Sequence, residues 1–122
     1  MIKVYVAHTY GRRYGLSDRQ CEDNVEKSIE VGRELIKRGY NPFIPNLWHY
    51  VHAGWNETLT EDKYLVMVSE WLLKCDCLLI ASEMTEGVKH EFNIASEYGI
   101  KTFFSIESLD AYYRFEKEPV AV

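Results

Sequence analysis

The sequence predicts an α/β domain of three layers, with helices on both faces of a four- or five-stranded parallel sheet of flavodoxin-like or Rossmann-like topology. Three observations lead there. Short, near-continuous apolar runs recur at residues 2–7, 77–81 and 100–105, as expected of strands covered on both faces. Stretches of helical period separate these runs. The alternation of strand and helix then argues for parallel neighbours joined by right-handed crossovers.

Each element has its own signal. Ile2-Lys3-Val4-Tyr5-Val6-Ala7 is short, apolar and partly β-branched, and reads as the first strand. Residues 8–18 carry two glycines and polar or basic groups, and read as a loop. A helix is expected from about Asp23 to Arg38, with Val25, Ile29, Gly32, Leu35 and Ile36 near helical spacing and Gly39 as its stop. Asn41-Pro42-Phe43-Ile44-Pro45 suits an edge strand, because proline cannot donate to a ladder. Residues 46–59 read as a loop or short helix. Thr60-Glu61-Asp62 opens a helix to about Lys74, and Cys77 to Ala81 is a buried strand. A helix over residues 88–98 ends at Gly99, a strand covers 100–105, and a last helix runs from 106 to about 115 before a Pro-containing tail.

Composition bounds the function. The 122 residues are 47% hydrophobic and 27% charged, which suits one globular domain over 1–122 and excludes a low-complexity chain. The formal charge of −5 argues against polymeric nucleic acid as partner, since phosphate binding needs a basic stripe. No apolar stretch is long enough for a membrane span or an export signal. Three cysteines, Cys21, Cys75 and Cys77, lack the second pair of a zinc site and read as reduced thiols of a cytoplasmic protein. No metal or organic cofactor is expected.

In a parallel sheet the ligand binds beyond the carboxyl ends of the strands, so three loops matter. The most informative is Thr85-Glu86-Gly87-Val88-Lys89-His90-Glu91. Thr85 stands at a helix N-cap, Gly87 permits close approach, and the first-turn amides suit an anion. Glu91 shares a helix face with Gly87 and Val88. The same pattern also fits a capped, solvated helix with an acid near its positive end. The first loop, with His8, Thr9, Tyr10, Gly11, Arg12 and Arg13, offers a hydroxyl, a glycine and guanidinium groups for a phosphate or polyol, or is a solvated loop. It holds neither a dinucleotide fingerprint nor a phosphate-loop motif. The third, with Trp48, His49, Tyr50, His52 and Trp55, presents aromatic faces for a base or simply for the core. No G-x-S-x-G elbow is present.

Taken in order, these segments resemble the nucleoside 2-deoxyribosyltransferase-like family, which includes the deoxynucleoside 5′-monophosphate N-glycosidases. The likeness covers residues 3–109. It rests on Val4-Tyr5-Val6-Ala7 with its Gly/Arg loop, Asn24, Gly39-Tyr40-Asn41-Pro42-Phe43-Ile44-Pro45, Glu70-Trp71-Leu72-Leu73-Lys74-Cys75-Asp76, and the segment Thr85 to Glu91. The resemblance implies that Glu91 attacks the anomeric carbon of a (deoxy)nucleoside or its 5′-monophosphate. A glycosyl-enzyme ester would form and be resolved by water or by another base. It implies assistance from an acid on the helix before the third strand, Glu70 or Asp62, beside which Asp76 is a further candidate, and a substrate held by His8, Thr9, Tyr10, Gly11, Arg12, Asn24, Thr85 and Gly87, with Trp48 and His49 at the base. It also implies a homodimer or higher homo-oligomer. The rivals are a nucleotide-binding or signalling module without turnover, a hydrolase of NAD or ADP-ribose-type ligands, and a partner protein with a vestigial pocket.

Overall fold

The computed structural model describes residues 1–115 except 56 and 58, with the side chains of all of these but Arg13 and His52. The expected Pro-containing tail lies outside the described residues. In chain order the elements are β1 (Lys3–Ala7), α1 (Asp18–Lys37), β2 (Asn41–Phe43), α2 (His49–His52), α3 (Glu61–Leu72), β3 (Cys77–Ile80), α4 (Glu86–Glu97), β4 (Lys101–Phe103) and α5 (Ile106–Tyr113). Short 3₁₀ turns at Arg12–Tyr14 and Pro45–Trp48 fill the loops after β1 and β2.

The four strands form one parallel sheet in the order β2-β1-β3-β4. Alternation along β1 divides the core. Val4 and Val6 pack with Leu35 of α1 and with Leu109 and Tyr113 of α5. Tyr5 and Ala7 pack on the opposite face with Val68 and Leu72 of α3 and with Val88 and Ala95 of α4. Both faces are therefore covered, which is why β3 and all of β1 beyond the exposed Lys3 are apolar. This is the expected three-layer arrangement, with four strands among the described residues.

Three local features differ from expectation or explain it. The first helix begins at Asp18, five residues before the expected Asp23, because Ser17 and Gln20 form a capping box: each side chain bonds the other's backbone N–H, at 3.2 and 2.9 Å. Polar residues in that first turn had the look of loop. Gly32 is needed for close packing, since a Cβ there would stand 2.4 Å from Cδ1 of Ile44. It lets α1 lie against the chain leaving β2. Pro42 pairs with Val4 in β2, an edge strand, where its missing N–H costs no ladder bond.

The strand order creates the site. From β1 the chain moves outward to β2, then returns to place β3 on the other side of β1. The loops leaving β1 and β3 diverge, and a crevice opens at their carboxyl ends. Replacing the cap, Ser17→Ala, should lower unfolding stability by ~1 kcal/mol, read from urea denaturation. An unchanged midpoint would show that the first turn of α1 does not depend on it.

Candidate functional site

A cavity of about 290 Å³ occupies that crevice, near the lower end of small-molecule sites at roughly 300 Å³. The loop after β1, the segment carrying Trp55, Glu57 and Leu59, the inner face of α3 and the first turns of α4 form its walls. His8, Thr9, Tyr10, Gly11, Arg12, Thr85, Gly87 and Glu91 all line it. The structure thus brings all three expected loops together around one space, that of residues 46–59 through Asn46, Trp55, Glu57 and Leu59.

Glu91 is 8% exposed and stands in the second turn of α4 beside Val88 and Ala95, both buried. That helix face packs on Tyr5, Leu78 and Ile80 of the sheet, so the carboxyl lies between sheet and helix. Burial disfavours the charged form and pushes its pKa up to about 8, opposed by hydrogen bonding with the Tyr5 hydroxyl. Tyr5 itself is fully buried, and burial followed by the charge of Glu91 holds its phenol well above the ordinary value. Its oxygen interacts with the carboxyl outside ideal hydrogen-bond geometry. A second phenol, Tyr64, lines the cavity, donates to the Pro45 carbonyl at 3.5 Å, and is raised by burial and then by Glu91.

The first loop is held from behind. Asn46, itself buried, donates from Nδ2 to the His8 and Thr9 carbonyls, both at 3.3 Å, and to Ser28 Oγ at 3.0 Å. Asn24 Nδ2 donates to the Tyr10 carbonyl at 3.0 Å. The Thr9 N–H donates to Ser82 Oγ at 2.9 Å, which ties this loop to the one after β3. Gly11 turns the chain at φ 106°, and a Cβ there would meet Leu16 Cδ1 at 2.2 Å. No L side chain fits that position.

Thr85 is the N-cap of α4, but its hydroxyl caps no amide; it accepts from Thr9 Oγ1 at 3.4 Å. One first-turn amide is already engaged, since Glu86 N–H donates to the Tyr14 hydroxyl at 2.8 Å. The expected anion cradle is correspondingly smaller.

Several expected residues lie elsewhere. Asp76 Oδ2 accepts from the Lys3 N–H at 2.7 Å; preceding β3, it belongs to the amino ends of the strands, the far end of the sheet. Glu70 lies with Asp62, Leu73 and His90 on an outer groove between α3 and α4. Tyr64, Leu65 and Val68 face the cavity, and two residues beyond Val68 a helix has turned about 200°. Neither acid is placed to assist Glu91. The carboxylates that share its cavity are Glu57 and Glu61. Trp48 packs on the core face that holds Tyr5 and Ala7, and His49 stands behind Tyr10, bonded to its hydroxyl. Asn24 serves the loop backbone rather than the cavity.

Sequence reasoning missed Tyr5, because a strand buried on both faces reads as core. The one available signal was a phenol inside an otherwise aliphatic run. Tyr64 was concealed likewise on the apolar side of α3.

Among the described residues no cluster of three or more His, Cys, Asp or Glu could hold a metal. Cys21, Cys75 and Cys77 are free, and burial raises all three thiols, which disfavours a nucleophilic thiolate. No helix among the described residues is long and apolar enough to cross a membrane.

The buried acid has a cost that depends on pH. From about 4.5 to about 8 the unfolded chain ionises Glu91 while the folded chain keeps it protonated. Its contribution to stability is therefore present at low pH and lost as pH rises through that window. Glu91→Gln should remove this loss and gain a few kcal/mol on wild type between about pH 5 and about pH 9, measured by denaturation at both. A constant difference would mean that the carboxyl is solvated.

Compared with known proteins, the chain matches no family model, no curated protein and no solved structure.

Proposed function

We propose that this chain cleaves or transfers at the N-glycosidic bond of a (deoxy)nucleoside or nucleoside 5′-monophosphate, with Glu91 as the nucleophile. The observation that carries the reading is the position of Glu91: a desolvated carboxyl, flanked by Tyr5 and Tyr64, on the wall of the cavity at the strand tips. Desolvation makes the ionised carboxylate a better nucleophile, and the dry wall suits an oxocarbenium-like transition state that water would intercept. The bond from a Glu91 oxygen to the anomeric carbon forms as the bond to the base nitrogen breaks, and the base leaves with that electron pair. Arg12 and the α4 N-terminus line the same space, which supports binding of a sugar hydroxyl or 5′-phosphate there. The resemblance also suggests self-association in the cytoplasm, and exposed Trp71, Tyr98 and Phe104 offer apolar contacts for it.

A second reading is favoured by one observation. With its pKa at about 8, Glu91 holds a proton in the free protein at neutral pH and could donate a hydrogen bond in a nucleotide-binding module without turnover.

The pH profile separates them. For the enzyme, kcat/KM for base release should rise with pH and level off above about 8, because the carboxylate is the reacting form in the free protein. The test uses a panel of ribo- and deoxynucleosides and their monophosphates, with free base followed by chromatography. Glu91→Gln should reduce release by ~10³-fold or more. Arg12→Ala should raise KM for a monophosphate more than for its nucleoside. Binding without base release, alike in wild type and Glu91→Gln, would establish the module instead.

A further inference from the structure

One phenol on the cavity wall is hydrogen-bonded to a residue that stands behind that wall. Tyr10 lines the cavity, and its hydroxyl is hydrogen-bonded to Nδ1 of His49. His49 opens α2 and is only 6% exposed. Its other nitrogen, Nε2, faces Glu22 Oε1 of α1 at 3.7 Å. Phenol, imidazole and carboxylate, drawn from three separate parts of the chain, thus form a line from the cavity to the surface, where Glu22 is 56% exposed.

The surroundings hold this line in place. Asn24, on the same helix as Glu22, fixes the Tyr10 carbonyl. The rings of Tyr10 and Tyr50 stand edge-on to His49, at 5.5 and 5.1 Å. At 3.7 Å Glu22 makes no hydrogen bond to Nε2, but its charge favours a proton on that nitrogen, the tautomer in which Nδ1 accepts from the phenol. Burial raises Tyr10, opposed by hydrogen bonding with Arg12, so the phenol keeps its proton at neutral pH and can give it up only to a base such as His49.

We propose that Tyr10, His49 and Glu22 form a proton relay that activates the water resolving the Glu91 glycosyl ester, making this site that of a hydrolase. The inference rests on the reading of Glu91 as nucleophile. In this step the water oxygen bonds to the anomeric carbon while the ester bond breaks, its electron pair returning to the Glu91 carboxylate. The water proton passes to Tyr10 Oη as the Tyr10 proton passes to His49 Nδ1. The imidazolium, balanced by Glu22, then passes its proton outward to solvent by way of that carboxylate, the exposed end of the line. Tyr10 is the group that touches the reacting water; His49 and Glu22 act through it as positioning residues.

The test follows base release from 2′-deoxynucleoside 5′-monophosphates and the intact mass of the protein, in Tyr10→Phe, His49→Gln and Glu22→Gln. Tyr10→Phe and His49→Gln should release one equivalent of base in a burst, then turn over ~10²-fold more slowly. A one-sugar adduct should accumulate on Glu91. Azide, a nucleophile with no proton to lose, should restore their turnover. Glu22→Gln, at the surface, should show the same defect more weakly. Misfolding alone would lower the burst and give no adduct or azide rescue, and that outcome in all three variants overturns the relay. Wild-type turnover in Tyr10→Phe and His49→Gln, with Glu91→Gln inactive, overturns the relay and leaves the nucleophile standing. No base release by wild type overturns both.

Discussion

Keeping a carboxylic acid dry at the tips of a parallel sheet is the constraint on which the rest of this molecule depends. An ionised carboxylate in an apolar setting is costly, and a protein meets that cost by pairing the group or by keeping it protonated. Here the neighbours of Glu91 are two phenols, Tyr5 and Tyr64, rather than a guanidinium or ammonium. The result is an acid poised to change charge near pH 8, in a space large enough for a small ligand. A group balanced in this way suits chemistry better than it suits packing.

The surrounding fold supplies precision by indirect means. The loop after β1 carries the residues nearest to a ligand, yet its shape is set by side chains that never reach the cavity. Asn46 and Asn24 bind three successive carbonyls, and Ser28 links the two amides by accepting from Asn46 and donating to the Asn24 carbonyl. Amides that donate to fixed carbonyls hold a loop in place, because any movement leaves a polar group unpaired. Thr9 extends the same network to Ser82 and Thr85, so the loops after β1 and β3 form one unit. The loop that belongs to the site is thus also among its best anchored parts.

Helix phase decides which acids are neighbours. On α3, Tyr64, Leu65 and Val68 turn toward the cavity while Glu70 turns toward His90 on the outer groove. Asp76 is separated from Glu91 by the full length of β3. Glu57 and Glu61, which do share the cavity with Glu91, stand before α3 and in its first turn, where sequence spacing alone offers no reason to prefer them.

By itself the sequence determined the layers, the parallel sheet and the crevice at the strand ends, and singled out Glu91 as a candidate for it. These follow from local rules: apolar runs make strands, alternation makes crossovers, and a glutamate one turn into a helix projects near its N-terminus. The start of α1 was read five residues late, although Ser17 and Gln20 carried its signal. What only the tertiary structure decided was company. Tyr5 beside Glu91, Tyr10 against His49, and Asn46 beneath the first loop are contacts between residues 39 or more positions apart, except for those Asn46 makes with the loop at 37 and 38. Spacing along a chain constrains neighbours within a helix or strand, but distant residues meet only once the sheet order is chosen. The charge, protonation and partners of a buried group depend on that meeting.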